Sequence, residues 1–402
     1  MTPRLLAVSH DASRTGAPAM LVHFLRWVAE HQPGALDVEL LLLRGGPLEE
    51  DFRALGPASV LAPFEKWTPA EVATLGLRKV GLEPLASATA RVRMRALLAR
   101  SRGHDLVWLN SVASAPVLRG LPPVAGQRII TAVHELDQIL DVVEPDDWRA
   151  LLARTDLFLA GAEGIAENLL RRDGVDRAKV HVGHEFIDVH REIDGAPRPA
   201  GADGTALRAR LGIPADAFVV GGCGPTAWRK APDLFIRLGV TLRHHRATSG
   251  DRPIHLVWIG GPVDGVKFAP TAHDLAASGV ADRVHFIGPQ QDLTEPFAMF
   301  DAFALTSRED ALPLVCLEAA RAGRPVLCFD NTCLGEVFGP EEGVTVPFLD
   351  IDAMAAQVAA WAAAPEVAAA MGARARTRIY DAFDVSVGAP RWWAEVEAVL
   401  GT

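Results

Sequence analysis

Ser307-Arg-Glu-Asp310-Ala-Leu-Pro313-Leu-Val-Cys316-Leu-Glu318-Ala-Ala-Arg-Ala-Gly-Arg-Pro-Val-Leu-Cys328 is the stretch that decides how this chain is read. Acids stand at 309 and 310, an almost wholly apolar run follows, and one more acid stands at 318. Pro313 lacks an N–H but suits the first turn of a helix. A carboxylate is costly to bury alone. Acids that bracket an apolar helix therefore point to a hydroxyl-rich ligand lying across its start. The backbone N–H groups of Leu314 and Val315, at that start, are placed to receive phosphate oxygens. Arg324-Pro-Val-Leu then opens a buried strand.

Around this stretch the pattern is α/β throughout: apolar runs of strand length alternate with amphipathic stretches of helix length. Strands are expected at Leu5–Ser9, Val38–Leu43, Leu106–Asn110, Arg128–His134, Leu157–Ala160 and Val180–Val182. A second series runs through Phe218–Cys223, Ile254–Ile259, Val284–Ile287, Ala302–Leu305 and Pro325–Phe329. Between the two series, 190–216 is rich in turn residues and reads as an interdomain linker. The chain has 402 residues, which is long for one core, so two domains are the natural expectation. The expected limits are 1–190 and 191–380, with an amphipathic helix around Arg391–Leu400 in a terminal segment 381–402.

Composition narrows the classes. Apolar residues make up 49% and charged residues 22%, as in an ordinary globular protein. The net charge of −10 argues against a general nucleic-acid binder. The cysteines Cys223, Cys316, Cys328 and Cys333 form no CxxC pair and sit in or beside apolar runs, so they read as buried free thiols in a reducing compartment. Neither a signal peptide nor an apolar run of spanning length is visible. The expectation is a soluble cytoplasmic protein.

Three strand-to-loop junctions draw attention. Ser9-His-Asp-Ala-Ser13-Arg14-Thr15-Gly16-Ala-Pro18 leads into a helix whose N-terminus favours an anion, with Gly16 permitting close approach; an ordinary turn explains it as well. Ile130-Thr-Ala-Val-His134-Glu135 ends a strand on a histidine and an acid, where open α/β sheets place catalytic groups; a lone histidine is more often structural. Gly221-Gly-Cys-Gly224-Pro-Thr-Ala-Trp228-Arg229-Lys230-Ala-Pro-Asp233 couples glycines to two cations suited to a diphosphate; a solvated Arg-Lys pair is the bland alternative. Neither a GxGxxG nor a Walker spacing is present. The loop Gly288–Asp292 follows another strand. An Arg-rich stretch between Phe64 and Arg102 reads as a solvated helix face, or as a surface for a phosphate-bearing or membrane-bound acceptor.

The 307–328 segment resembles the Glu-x7-Glu motif of retaining glycosyltransferases of family 4, in the subgroup reading Ser-Arg-Glu-Asp-x-x-Pro. Asp310 stands where most members carry the first Glu, and Glu318 is the second. Ala311 replaces the usual Gly or Pro, and Leu312 the usual Phe. The 229–235 run resembles the family's Arg-Lys-Gly-x-Asp-Leu-Phe segment, with Ala231 in place of Gly. The resemblance implies the GT-B fold: two Rossmann-like domains facing each other across a cleft, with the terminal helix crossing back to the first. It implies transfer of a sugar from a nucleoside diphosphate sugar to an acceptor hydroxyl, with retention, and without a metal or other cofactor. The acceptor is left open as a glycan, a lipid-linked molecule or a small molecule.

By the same resemblance Asp310 would contact donor-sugar hydroxyls and Glu318 the ribose. Arg229 and Lys230 would hold the leaving diphosphate, beside Gly224. His134 would meet the donor sugar or phosphate, and Gly16 the donor diphosphate. The loop from Gly288 would take the base. Three alternatives stay open: another GT-B enzyme such as a nucleotide-sugar epimerase, an inactive sugar-nucleotide-binding protein, and a nicotinamide-dependent oxidoreductase, which lacks its glycine fingerprint.

Overall fold

A computed structural model of the chain describes residues 2–63, 103–192, 195, 197, 203–244 and 252–401. The Arg-rich stretch between Phe64 and Arg102 lies outside the described residues. Two compact units are present, 1–186 with 385–402, and 187–384.

The first unit contains a parallel sheet. Its strands are β1 (Arg4–Ser9), β2 (Asp37–Leu42), β3 (Ala58–Val60), β4 (Leu106–Leu109), β5 (Arg128–Val133), β6 (Leu157–Ala160) and β7 (Val180–Val182). They pair in the order β3-β2-β1-β4-β5-β6-β7. The second unit's parallel sheet uses β8 (Phe218–Cys223), β9 (Ile254–Ile259), β10 (Val284–Phe286), β11 (Ala302–Leu305), β12 (Val326–Phe329) and β13 (Gly343–Val346). Their order is β10-β9-β8-β11-β12-β13.

Parallel sheets are covered on both faces, so inner strands read as unbroken apolar runs. That is why β4, β6, β9, β11 and β12, buried along their whole length, are plain in the sequence. The edge strands β3 and β13 are short and partly exposed, and neither is in the expected set.

In each sheet the strand order reverses once, beside β1 and β4 in the first and beside β8 and β11 in the second. At such a reversal the following loops diverge and leave a crevice beyond the carboxyl ends of the strands, the ordinary ligand position in open α/β sheets.

Two expectations gain detail. Within the 190–216 region the helix Thr205–Arg210 belongs to the second unit. Arg208 ties it down, donating to Met299 O at 2.8 Å and pairing with Asp301 at 2.9 Å. The terminal helix is also longer than expected, Val385–Leu400, and runs through Pro390, a residue that ordinarily marks a boundary. Its Trp392 is fully buried within the first unit, 5.5 Å from both Phe24 and Trp108, and donates Nε1–H to Gly183 O at 2.9 Å.

His255 on β9 and His285 on β10 stack with ring centroids 5.5 Å apart. Burial, followed by the charges of His285 and Arg283, lowers the His255 pKa to about 4. The unfolded chain, with a pKa near 6.5, takes up this proton first as the pH falls. Stability from this site is complete above about pH 6.5 and is lost towards pH 4. The Tm should therefore drop between pH 7 and pH 5, and His255→Leu should flatten part of the drop; an identical pH slope in the variant contradicts this.

Candidate active site

The glycine run at the end of β8 serves packing first. A Cβ on Gly221 would lie 2.1 Å from the Phe300 ring, and one on Gly222 would lie 2.8 Å from Phe235. These two glycines admit protein neighbours, not a ligand. Gly224 has φ +154°, and its Cβ position lies 3.0 Å from the Lys230 side chain. Its carbonyl accepts from Trp258 Nε1 at 2.9 Å.

The loops after β8 and β11 meet at the strand-order reversal. Arg229 donates to Asp310 Oδ1 at 2.7 Å and to Glu309 O at 3.1 Å. Lys230 Nζ pairs with Asp310 Oδ2, which also accepts from Ser307 Oγ at 2.9 Å. Asp310 is buried, which alone would raise its pKa, but the Lys230 and Arg229 charges outweigh burial and hold it low. One carboxylate against two cations leaves a net charge of +1 by formal count (2 − 1). The Lys230 side chain is only 10% exposed and that of Arg229 37%, so Arg229 is the cation open to a ligand.

Arg308 locks the same loops, a role the sequence did not reveal. Its N–H donates to Arg229 O at 2.8 Å, and its guanidinium donates to Asp233 at 2.9 Å and sits 5.4 Å from the Trp228 ring centroid. Ala231 has φ +55°, a left-handed conformation that favours glycine, and its carbonyl accepts the N–H of Leu234 at the start of the helix Pro232–His244.

The helix Leu314–Arg321 begins directly beyond Asp310, and no side chain caps it. The N–H groups of Leu314 and Val315 are at its open end. Glu318, further along this helix, accepts from Arg321 Nε at 3.0 Å. Gly288 follows the edge strand β10, has φ +70°, and its carbonyl accepts from Gly260 N–H at 2.8 Å. It lies two strands from β8. Cys223, at the end of β8, is a free cysteine whose thiol burial pushes up to about 12; it is a poor nucleophile. It is half-buried, unlike the other three cysteines, which are buried.

In the first unit the loop after β1 is wound on Asp11, whose Oδ1 accepts from Ser13 N at 3.0 Å and Ser13 Oγ at 2.8 Å. Gly16 then starts the helix Gly16–His31, which has no side-chain cap at Thr15. His134 follows β5, and its Nδ1 lies 2.6 Å from Glu185 Oε1. Burial lowers the His134 pKa, but the hydrogen bond to Glu185 and the charges of Glu185 and Glu135 outweigh it and raise the pKa overall. Glu135 Oε1 accepts the Ser111 hydroxyl, and its Oε2 accepts from His134 N at 2.9 Å. Neither Glu185 nor Ser111 stands out in the sequence.

The structure thus gathers Arg229, Lys230 and Asp310 into one cluster with the Leu314 helix start adjoining it in the chain. Glu318 is on that same helix, and both it and Lys230 act electrostatically on Cys223; Gly288 follows β10, two strands from β8, and Gly16 and His134 belong to the first unit.

Residues 203–378 match the family model of glycosyl transferases group 1. The chain therefore carries a glycosyl transferase group 1 domain on a GT-B fold. Among its relatives is a D-inositol 3-phosphate glycosyltransferase of Streptomyces coelicolor, 32% identical over 298 residues, covering 68% of this chain and 65% of the relative. Another, from Stackebrandtia nassauensis, is 31% identical over 235 residues, covering 56% and 51%. The chain spans about half the length of several of the curated relatives it matches. Solved structures with the same fold include HepE of Anabaena in complex with UDP and glucose (TM-score 0.77, 15% identity, 98% and 99% covered). A sucrose-phosphate synthase of Thermosynechococcus elongatus is similar too (TM-score 0.75, 17% identity, 99% of each chain covered). Among the described residues, no helix is long and apolar enough to cross a membrane.

Two stability outcomes follow. Lys230→Ala leaves Asp310 buried with one cation fewer, and breaking a buried pair costs about 3–5 kcal/mol. Arg229→Ala removes a more exposed partner and should cost distinctly less; equal losses in chemical denaturation contradict this burial order. At position 231 the left-handed backbone disfavours any Cβ, and a β-branched one most. Ala231→Gly should shift Tm little, whereas Ala231→Val should lower it by several degrees; the reverse order would contradict the left-handed assignment.

Proposed function

We propose that the protein is a retaining glycosyltransferase that moves a hexosyl group from a nucleoside diphosphate sugar to an acceptor hydroxyl. The observation that carries this reading is the Arg229–Lys230–Asp310 cluster at the β8/β11 reversal. Its net positive charge suits a diphosphate, and the N–H groups at Leu314 and Val315 add the field of a helix N-terminus. Such fixed donors and charges stabilise a leaving diphosphate as it separates. The reading needs neither a metal nor a cofactor besides the donor itself.

Glu318 is assigned to the ribose and the Gly288 loop to the base. Asp310 is assigned to donor-sugar hydroxyls in addition to ordering the two cations. His134 would meet the donor sugar or phosphate, and Gly16 would allow the diphosphate close to the backbone. With Cys223 held as a neutral thiol, the chemistry we favour is front-face displacement, in which the leaving phosphate helps to deprotonate the acceptor. HepE in complex with UDP-glucose supports a nucleotide-sugar donor. The inositol 3-phosphate glycosyltransferases support a phosphorylated hydroxyl compound as acceptor. Cytoplasmic placement, with peripheral membrane contact through 64–102, belongs to the same proposal.

The engagement of Asp310 by Arg229, Lys230 and Ser307 favours one second reading, an inactive sugar-nucleotide-binding protein. A thermal-shift panel of UDP-, GDP-, ADP- and TDP-sugars, followed by turnover of labelled donor, separates the two. A bound donor raises Tm. The transferase reading predicts a shift with one donor and release of its nucleotide when acceptor is added. Asp310→Asn should reduce transfer by about a hundredfold or more while nucleotide binding persists, because one negative charge near the diphosphate is gone. Undiminished transfer would remove Asp310 from the site, and a panel with no shift at all would remove the function.

A further inference from the structure

We propose that Glu185 is a positioning residue that holds His134 through Nδ1–H and favours its imidazolium form, whose Nε2–H is a hydrogen-bond donor to a substrate oxygen. The inference rests on the transferase reading for the identity of that substrate, but its geometry stands alone.

An ionised carboxylate only accepts hydrogen bonds, so the 2.6 Å contact places a proton on His134 Nδ1. Both side chains are buried, at 6% and 4% exposure. Nε2 is also buried, and it has no hydrogen-bond partner among the described residues. A buried polar atom left unpaired costs about 1–3 kcal/mol, so Nε2 is a group that a bound oxygen would satisfy. The charged groups facing His134 are Glu185, from the loop after β7, and Glu135, beside it after β5. From the terminal helix the neighbour is the uncharged Trp392 ring, at 6.2 Å. Two carboxylates around one imidazole favour its cationic form, in which both ring nitrogens carry protons. Nε2–H is then a donor suited to an anionic oxygen such as that of a phosphate.

The surroundings hold this arrangement rigid. Gly161 leaves room for the Glu185 carboxylate: a Cβ there would lie 2.7 Å from Oε1 and 2.8 Å from Cγ. Glu185 N–H donates to Gly161 O at 3.1 Å. Glu135 fixes the His134 backbone, and Ser111, which binds Glu135, carries a strained φ of +155°.

The test is a proton-NMR titration of His134 in the full chain without substrate, its signal assigned by loss in His134→Gln. Wild type should titrate above the ordinary histidine value. Glu185→Gln should lower the midpoint, and Gly161→Ala, which displaces the carboxylate sterically, should lower it too. Glu185→Asp should restore part of the rise. In turnover assays Glu185→Gln should lose about ten- to a hundredfold in kcat/KM at pH 8, with the alkaline limb moved to lower pH. Unchanged midpoints in both Glu185→Gln and Gly161→Ala overturn the proposal, as does an unmoved alkaline limb. Absence of turnover by wild type with every donor overturns the transferase reading instead, while the titration still judges the His134–Glu185 coupling.

Discussion

A single buried carboxylate between two cations organises the second unit. Asp310 joins Arg229 and Lys230 across the point where the strand order reverses. Without it, two adjacent positive charges would repel each other, and one of them is almost wholly buried. The neighbouring contacts serve the same junction: Arg308 clasps Arg229 and Asp233, and Asn331 Nδ2 donates to Arg308 O at 2.6 Å. The sheet brings the loops side by side, and the ion cluster sets their relative positions. Full neutralisation would have made a structural lock; the remaining positive charge leaves the junction suited to an anion.

The first unit inverts the charges. Around His134 one imidazole stands between two carboxylates, Glu185 and Glu135, which favour its cationic form. The carboxylates grip the ring and the backbone of the same residue and leave one donor unspent. In both units the sheet supplies the strand ends, and the electrostatics of the loops decide how each charged group is held.

Much of this was legible in the sequence, for identifiable reasons. The inner strands are buried on both faces, so Leu157–Ala160 or Ala302–Leu305 reads as one apolar block. The edge strand Gly343–Val346 mixes buried and exposed positions and gives no such signal. The loops with Arg229, Lys230, His134 and Asp310 were visible because each follows a readable strand. What those residues bind within the protein was not visible. Arg229 and Asp310 are 81 positions apart, and His134 and Glu185 are 51 apart; nothing in the local pattern joins them. The glycines misled in another way, since Gly221 and Gly222 fill packing needs set by Phe300 and Phe235, which lie elsewhere in the chain. Ala231 was legible only as a departure from glycine, and its left-handed backbone shows what that departure strains.

The central claim is that the Arg229–Lys230–Asp310 junction is a diphosphate site. Isothermal titration of UDP, GDP and ADP against their parent nucleosides tests it most directly, because the pairs differ only in the diphosphate. The account predicts that one diphosphate binds about a hundredfold or more tighter than its nucleoside, about 3 kcal/mol. That advantage should shrink with rising salt and largely vanish in Arg229→Ala. Equal affinity for diphosphate and nucleoside, or an advantage untouched by Arg229→Ala, would contradict it.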